Sequence, residues 1–152
     1  SREALELADY NIAALGLNQS ARTLQGRFSD IYLLKHEPFN LIVCNPPYHT
    51  RGGRKILDAA TVAYEPDRAL FVEKEDALVH YRDVLSGLHV GKLLVPGGLL
   101  VFEVFGDNVK AVAELMAAMN MDNIEVGTDS RDCIRTIEGT FNPFQNVKAH
   151  PV

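Results

Sequence analysis

Residues Phe39-Asn40-Leu41-Ile42-Val43-Cys44 are apolar almost without interruption, and the run stops at Asn45-Pro46-Pro47-Tyr48. A strand with one wet face alternates polar and apolar side chains. A near-continuous run of strand length instead suits a strand covered on both faces, as in a parallel sheet. Proline cannot donate to a sheet ladder and restricts the residue before it, so the strand must end at Pro46. A second run, Leu99 to Val104, follows Pro96-Gly97-Gly98, which reads as a turn. Helical spacing occupies residues 2 to 16, with Ser1 as N-cap, Glu3 and Glu6 in the first turn and Gly16 as C-cap. It returns over 73 to 94, loosened around Gly87 and Gly91, and over 107 to 119, with Val109, Val112, Ala113 and Met116 on one face. Residues 21 to 28 form a short strand candidate, and 124 to 126 and 133 to 137 read as two antiparallel strands near an edge. Strands alternating with helices predict an α/β fold with a mostly parallel sheet.

A chain of 152 residues, 47% hydrophobic and 23% charged, is one ordinary domain and buries about 70% of the surface its unfolded form exposes. Intrinsic disorder is thereby disfavoured. The sequence holds no apolar run long enough to cross a membrane as a helix. The acidic start, Ser1 to Glu6, carries no secretory or transit signal. A net charge of -5 disfavours a broad nucleic-acid groove. Two cysteines, Cys44 and Cys133, make neither a disulfide framework nor a four-cysteine metal site. The expected compartment is a reducing cytoplasm, with mitochondria left open. The histidines, His36, His49, His80, His89 and His150, are scattered without metal-ligand spacing, so no metal is expected and each reads as a surface or boundary residue. Cys44 reads as a buried, inert thiol, and Met116, Met119 and Met121 read as core filler. Arg51, Gly52, Gly53, Arg54 and Lys55 lack an apolar period and read as a solvated loop beside the motif.

Asn45-Pro46-Pro47-Tyr48 could be a simple turn. Its place argues otherwise, because open α/β sheets bind ligands beyond the carboxyl ends of their strands. Two prolines also fix the backbone that carries an amide and a phenol ring. This chemistry fits alkylation of a planar nitrogen, whose delocalised lone pair makes it a poor nucleophile. The Asn45 side-chain oxygen can accept one N–H and the Pro46 carbonyl a second, so both face the charge that develops on nitrogen, an oxyanion hole with its sign reversed. Tyr48 can stack on the flat group.

With these residues the sequence resembles the HemK/PrmC family of protein-(glutamine-N5) methyltransferases. Further segments carry the resemblance: Ala8 and Asn11 with Gly16, Phe39 to Tyr48, Tyr64-Glu65-Pro66-Asp67-Arg68-Ala69-Leu70-Phe71, Glu75 to Arg82, Pro96 to Glu103, and Asp132-Cys133-Ile134-Arg135. It spans residues 1 to about 139. The resemblance implies a Rossmann-like class I S-adenosylmethionine-dependent methyltransferase fold, N-terminally truncated, with residues 1–141 part of the catalytic domain; residues 142–152, with two prolines and no apolar period, read as a loose tail. It implies methyl transfer from S-adenosylmethionine to a glutamine amide of a peptide-chain release factor, a step tied to translation termination. Asn45, Pro46, Pro47 and Tyr48 would be catalytic. Asn45, Pro46, Tyr48 and Glu65 would meet substrate, and Asn45 and Phe28 the cofactor.

The sequence departs from the family pattern in several places. No glycine-rich cofactor loop follows a first strand, and the acidic strand end that holds the cofactor ribose would lie before Ser1. Arg27 follows Gly26 where the family shows Asp, and Asn40 replaces the usual Asp before the motif. Val104-Phe105-Gly106 is one residue longer than usual after Glu103. Two rivals follow. One is an amino-methyltransferase of nucleic acids, of the adenine type, which shares the motif. The other is a non-catalytic interaction module without the cofactor half. Mapping 21 to 28 and 39 to 44 onto the family's third and fourth strands leaves the 41 to 44 run with a bare edge. Either residues 21 to 28 move across to pair with it, or another chain does, through self-association or as a partner that supplies the missing strands, or a segment upstream of Ser1 fills the gap.

Overall fold

The structure, a computed structural model, describes residues 1–33, 37–72 and 75–144. At its centre is a four-stranded sheet in the order β1-β2-β4-β3, made of β1 (Phe39–Cys44), β2 (Leu94–Glu103), β3 (Met121–Thr128) and β4 (Ile134–Phe141). β1 and β2 are parallel, β4 is antiparallel to β2, and β3 is antiparallel to β4. The helices are α1 (Arg2–Ala14), α2 (Ala59–Tyr64), the one-turn α3 (Asp67–Leu70), α4 (Val79–Gly91) and α5 (Val109–Ala118). A parallel pair needs a long crossover, and the chain between β1 and β2 includes α4.

The core joins one face of the sheet to α4 and α5. Tyr81, Val84, Leu85 and Leu88 of α4 and Val112 and Met116 of α5 pack with Leu94, Leu100 and Phe102 of β2 and Ile137 of β4. Tyr81 meets Phe102 edge-on, with ring centroids 5.1 Å apart. Its buried hydroxyl is satisfied by donating to the Glu103 carbonyl at 2.9 Å, as a buried tyrosine requires. β1 sends Ile42 and Cys44 towards this core, while Phe39, Leu41 and Val43 are exposed on the other face. The expectation of a strand buried on both faces is therefore corrected: only one face of β1 is covered by the described residues. Its outer edge likewise has no strand partner among them.

Residues 21 to 27 are not a strand but irregular chain that runs into a 3-10 turn at Phe28–Leu33. A strand needs a neighbour for its backbone groups, and among the described residues none lies beside this segment. α1 matches its caps: Ser1 accepts from the Ala4 N–H, and Gly16 at φ +69 closes the far end with Leu17 N–H bonded to the Ile12 carbonyl. It has no buried residue, so local capping accounts for it better than packing does.

α4 runs unbroken through Gly87. A β-carbon there would lie 2.1 Å from Ile31 Cγ2, so the glycine is where the Phe28–Leu33 turn closes onto the helix. The helix starts later than its pattern predicts, and residues 73 and 74 of that prediction lie outside the described residues. Pro96-Gly97-Gly98 is not a free turn but a bulge inside β2: Phe39 pairs with Leu94, yet Leu41 pairs with Leu99. Gly98 has the Val95 carbonyl 2.9 Å and the Phe39 carbonyl 3.2 Å from where a β-carbon would sit, so the bulge needs a glycine there. Residues Arg51–Ile56, expected as loop, form a 3-10 helix. β3 and β4 are longer than predicted and antiparallel as predicted, with β3 at the edge. Asn142 is tied down by its N–H to the Asn120 carbonyl and by its side chain to Asp122. The rest of the expected loose tail, beyond Phe144, lies outside the described residues.

Two leucines on paired strands test this one-sided core. Leu100 is fully buried and Leu41 is 52% exposed. Leu100→Ala is expected to lower stability in urea by about 2–5 kcal/mol and Leu41→Ala by no more than about 0.5 kcal/mol. Equal losses would mean that the outer face of β1 is covered.

Candidate active site

The register of β1 against β2 builds the site. Cys44 pairs with Phe102, so Asn45 leaves β1 beside the point where Glu103 ends β2. Cys44 is buried, and burial pushes its thiol up to about 11, which keeps it protonated and inert. Pro46 is fully buried, whereas Asn45 is exposed and Tyr48 half-buried. The proline anchors the backbone, and the amide one residue earlier stands in solvent at the carboxyl end of a parallel strand.

The Tyr48 ring is fixed by aromatic neighbours. It stacks on Phe105 with 6.4 Å between centroids and planes 13° apart. The His49 ring lies 4.6 Å from it, tilted, and is itself 5.7 Å from Phe105 and 6.5 Å from Phe71. The segment after α3 is stitched to the motif by backbone: His49 N–H donates to the Leu70 carbonyl at 3.2 Å, and Val72 N–H donates to the His49 carbonyl at 2.9 Å. Burial, followed by the negative charge of Glu103, raises the Tyr48 phenol above its ordinary value, and Arg135 opposes the shift. Tyr48 therefore remains neutral near pH 7.

Arg135 is held from behind. It belongs to β4, where its carbonyl accepts from Val104 N–H at 2.8 Å, just past β2. Asp129, in the β3–β4 turn, accepts from the backbone N–H of Arg131 at 2.8 Å and of Cys133 at 3.2 Å, and from Arg135 Nε at 3.0 Å. The Arg131 N–H bond and then the Arg135 bond hold its carboxyl well below the usual carboxylate range. A depressed carboxylate lends its full stability above its unfolded value, 3.8, and loses it as pH falls below that. Wild-type stability is expected to fall more steeply below about pH 4 than that of Asp129→Asn, read from urea midpoints at several pH values. Parallel curves would remove Asp129 from the clamp.

The remaining predicted residues are more dispersed. Glu65 is exposed just past α2, and its N–H bonds the Thr61 carbonyl. Its segment reaches the motif through the backbone of residues 70–72 instead. Phe28 packs on α4, 5.4 Å from the His80 ring. It lines a concavity with Leu24, Gln25, Gly26, Arg27 and Asp30 that no residue of 45–48 lines. Arg51 lies 3.6 Å from Asp67, so its charge is partnered. Among the described residues no group of three potential metal ligands stands together, and no helix is long and apolar enough to cross a membrane. His89 is exposed as expected of a surface histidine. His80 has a buried Nδ1 with Asp83 3.6 Å away, and His36 and His150 lie outside the described residues. Sequence reading missed His49, Phe71 and Phe105 as one cluster. The available signal was an aromatic residue just beyond each of two buried runs.

No protein-family model matches the chain. It is 32% identical over 146 residues to the release factor glutamine methyltransferase of Caulobacter vibrioides, covering 96% of this chain and 49% of that protein. It is 34% identical over 134 residues to the enzyme of that name from Cereibacter sphaeroides, covering 87% and 46%. The chain thus spans about half the length of the curated relatives it matches. Among solved structures, an O-methyltransferase family protein from Burkholderia thailandensis superposes with a TM-score of 0.51 at 15% identity, over 90% of this chain and 40% of that one. Its likeness is one of fold. The sheet order, the strand-end motif and these matches agree: over nearly its whole length the chain is similar to the C-terminal portion of release factor glutamine methyltransferases, and its α/β architecture is that of a class I methyltransferase fold.

Proposed function

We propose that the chain contributes the amide-facing wall of a protein-glutamine methyltransferase that acts on a peptide-chain release factor. The observation that carries this reading is Asn45 exposed at the carboxyl end of β1 while Pro46 beside it is fully buried. An amide acceptor is thereby presented on backbone that cannot swing away.

An amide nitrogen shares its lone pair with its carbonyl and attacks only if it is oriented and its developing positive charge is met. Asn45 Oδ1 and the Pro46 carbonyl oxygen each accept one of its N–H groups, which aims the lone pair and places two partial negative charges against it. Tyr48, neutral and braced by Phe105, forms the flat side of the slot. The Glu103 carboxylate, behind the Tyr48 hydroxyl, adds a negative potential of the useful sign. S-adenosylmethionine, when bound, supplies an electrophilic methyl group. After transfer the nitrogen sheds its extra proton to water, so no strong base is required at this face.

The test is methyl transfer from S-adenosylmethionine to a release factor, with the modified residue located by mass spectrometry. Methylation is expected at a single glutamine and should vanish when that glutamine is changed. Asn45→Ala is expected to lower turnover by roughly 10²–10³. Turnover within a few-fold of wild type, or equal methylation of the changed release factor, would contradict the assignment. Preference for an adenine-containing duplex would move the activity to nucleic acid.

A further inference from the structure

We propose that His49 is a positioning residue of this site: wedged among Tyr48, Phe71 and Phe105, its uncharged ring holds the Tyr48 plane against the substrate amide, and protonating that ring disables the site. The proposal rests on the amide-methylation reading above and assigns a role to a residue which that reading does not use.

Geometry comes first. His49 is held at both its N–H and its carbonyl by the 70–72 segment, in a parallel bridge with Phe71. Its backbone therefore has a fixed place, and its ring angle is set by neighbours. That ring meets Tyr48 at 56°, Phe71 at 58° and Phe105 at 59°. Such tilted contacts avoid the face-to-face sandwich that the aromatic quadrupole disfavours. Tyr48 is thus held on two sides, stacked by Phe105 and leaned on by His49. Removing the imidazole would leave Phe105 as the one described ring contact on Tyr48.

Charge comes second. The groups facing this cluster are Glu103 from β2 and Arg135 from β4, both acting on Tyr48. The Arg51–Asp67 pair flanks the bridge on the segments to either side. Burial alone lowers the His49 pKa below its ordinary 6.5, and no carboxylate opposes that shift. The neutral ring is the form the folded site favours. A proton on it would put a full positive charge beside a nitrogen that must itself become positive, which is the wrong sign for catalysis. The same proton makes the ring prefer water to its aromatic nest, so the brace on Tyr48 loosens as well.

The experiment follows the His49 imidazole and the Tyr48 ring by NMR in the full chain across pH 5 to 8. The pH profile of methyl transfer is measured in parallel, for wild type, His49→Phe and His49→Gln. The His49 midpoint is expected below 6.5, with the Tyr48 ring signals moving at the same midpoint. Below it wild-type turnover should fall about tenfold per pH unit. Both variants should lose that acid limb, and Tyr48 should stop responding over that range. His49→Gln, which has no ring, should also raise KM for the release factor several-fold more than His49→Phe does. A His49 midpoint at or above 6.5, a Tyr48 ring indifferent to it, or an acid limb unchanged in both variants would overturn the proposal. Should the enzyme that contains this chain methylate no release factor in any form, the amide reading fails, and the coupled ring titration still decides whether His49 positions Tyr48.

Discussion

The parallel ladder between β1 and β2 is the contact from which the site follows. It places Cys44 opposite Phe102, and so brings Asn45 out next to the end of β2. The ladder is held from the far side of the sheet. Phe102 and Tyr81 are both fully buried against each other, and the Tyr81 hydroxyl ends on the Glu103 carbonyl. α4 never approaches the motif in sequence, yet it holds the strand end on which the motif's surroundings depend. A one-residue slip in this pairing would turn every side chain of β1 to the other face. It would expose Cys44 and bury the positions that now lie open.

Around that register the chain builds a rigid slot from components that each carry little energy alone. Pro46 anchors the turn by burial, Phe105 and His49 fix the Tyr48 ring, and Asp129 holds Arg135 through the turn between β3 and β4. The electrostatics at the Tyr48 ring are of mixed sign. The Glu103 charge acts on Tyr48 more strongly than that of Arg135, Arg135 is partly neutralised by Asp129, and Cys44 and Tyr48 stay uncharged. Such a site is suited to stabilising a cation that appears only during reaction, since dipoles already in place need no reorganisation.

Much of this was legible in the residues. The apolar run closed by two prolines located β1 and the motif, and α5 followed from the period of Val109, Val112, Ala113 and Met116. The misreadings share a cause: they concern what lies beside an element, which local pattern does not encode. Residues 21 to 28 have strand-like composition, but among the described residues no neighbour pairs with them. Leu41 and Val43 read as buried on both faces and are open on one, because a pattern reports what a strand can tolerate and not what covers it. Gly87 resembled a helix breaker and is a contact point, since Ile31 approaches it from a separate segment. His49 looked like any loop histidine because its partners, Phe71 and Phe105, are far away in sequence. Their convergence depends on the β1–β2 pairing and on the 70–72 segment folding back onto the motif.

The central claim is that the exposed amide acceptor after β1 and the braced Tyr48 ring together recognise a glutamine side chain. The most direct measurement is an NMR titration of the labelled chain with a release-factor peptide bearing the glutamine, and with the same peptide bearing glutamate at that position. The account predicts that the Asn45 side-chain amide and the Tyr48 ring shift together with the glutamine peptide, and shift far less with glutamate, whose charge repels Glu103 and which has no N–H to give. Shifts that are equal for both peptides, or that fall elsewhere on the surface and leave Asn45 and Tyr48 unmoved, would contradict it.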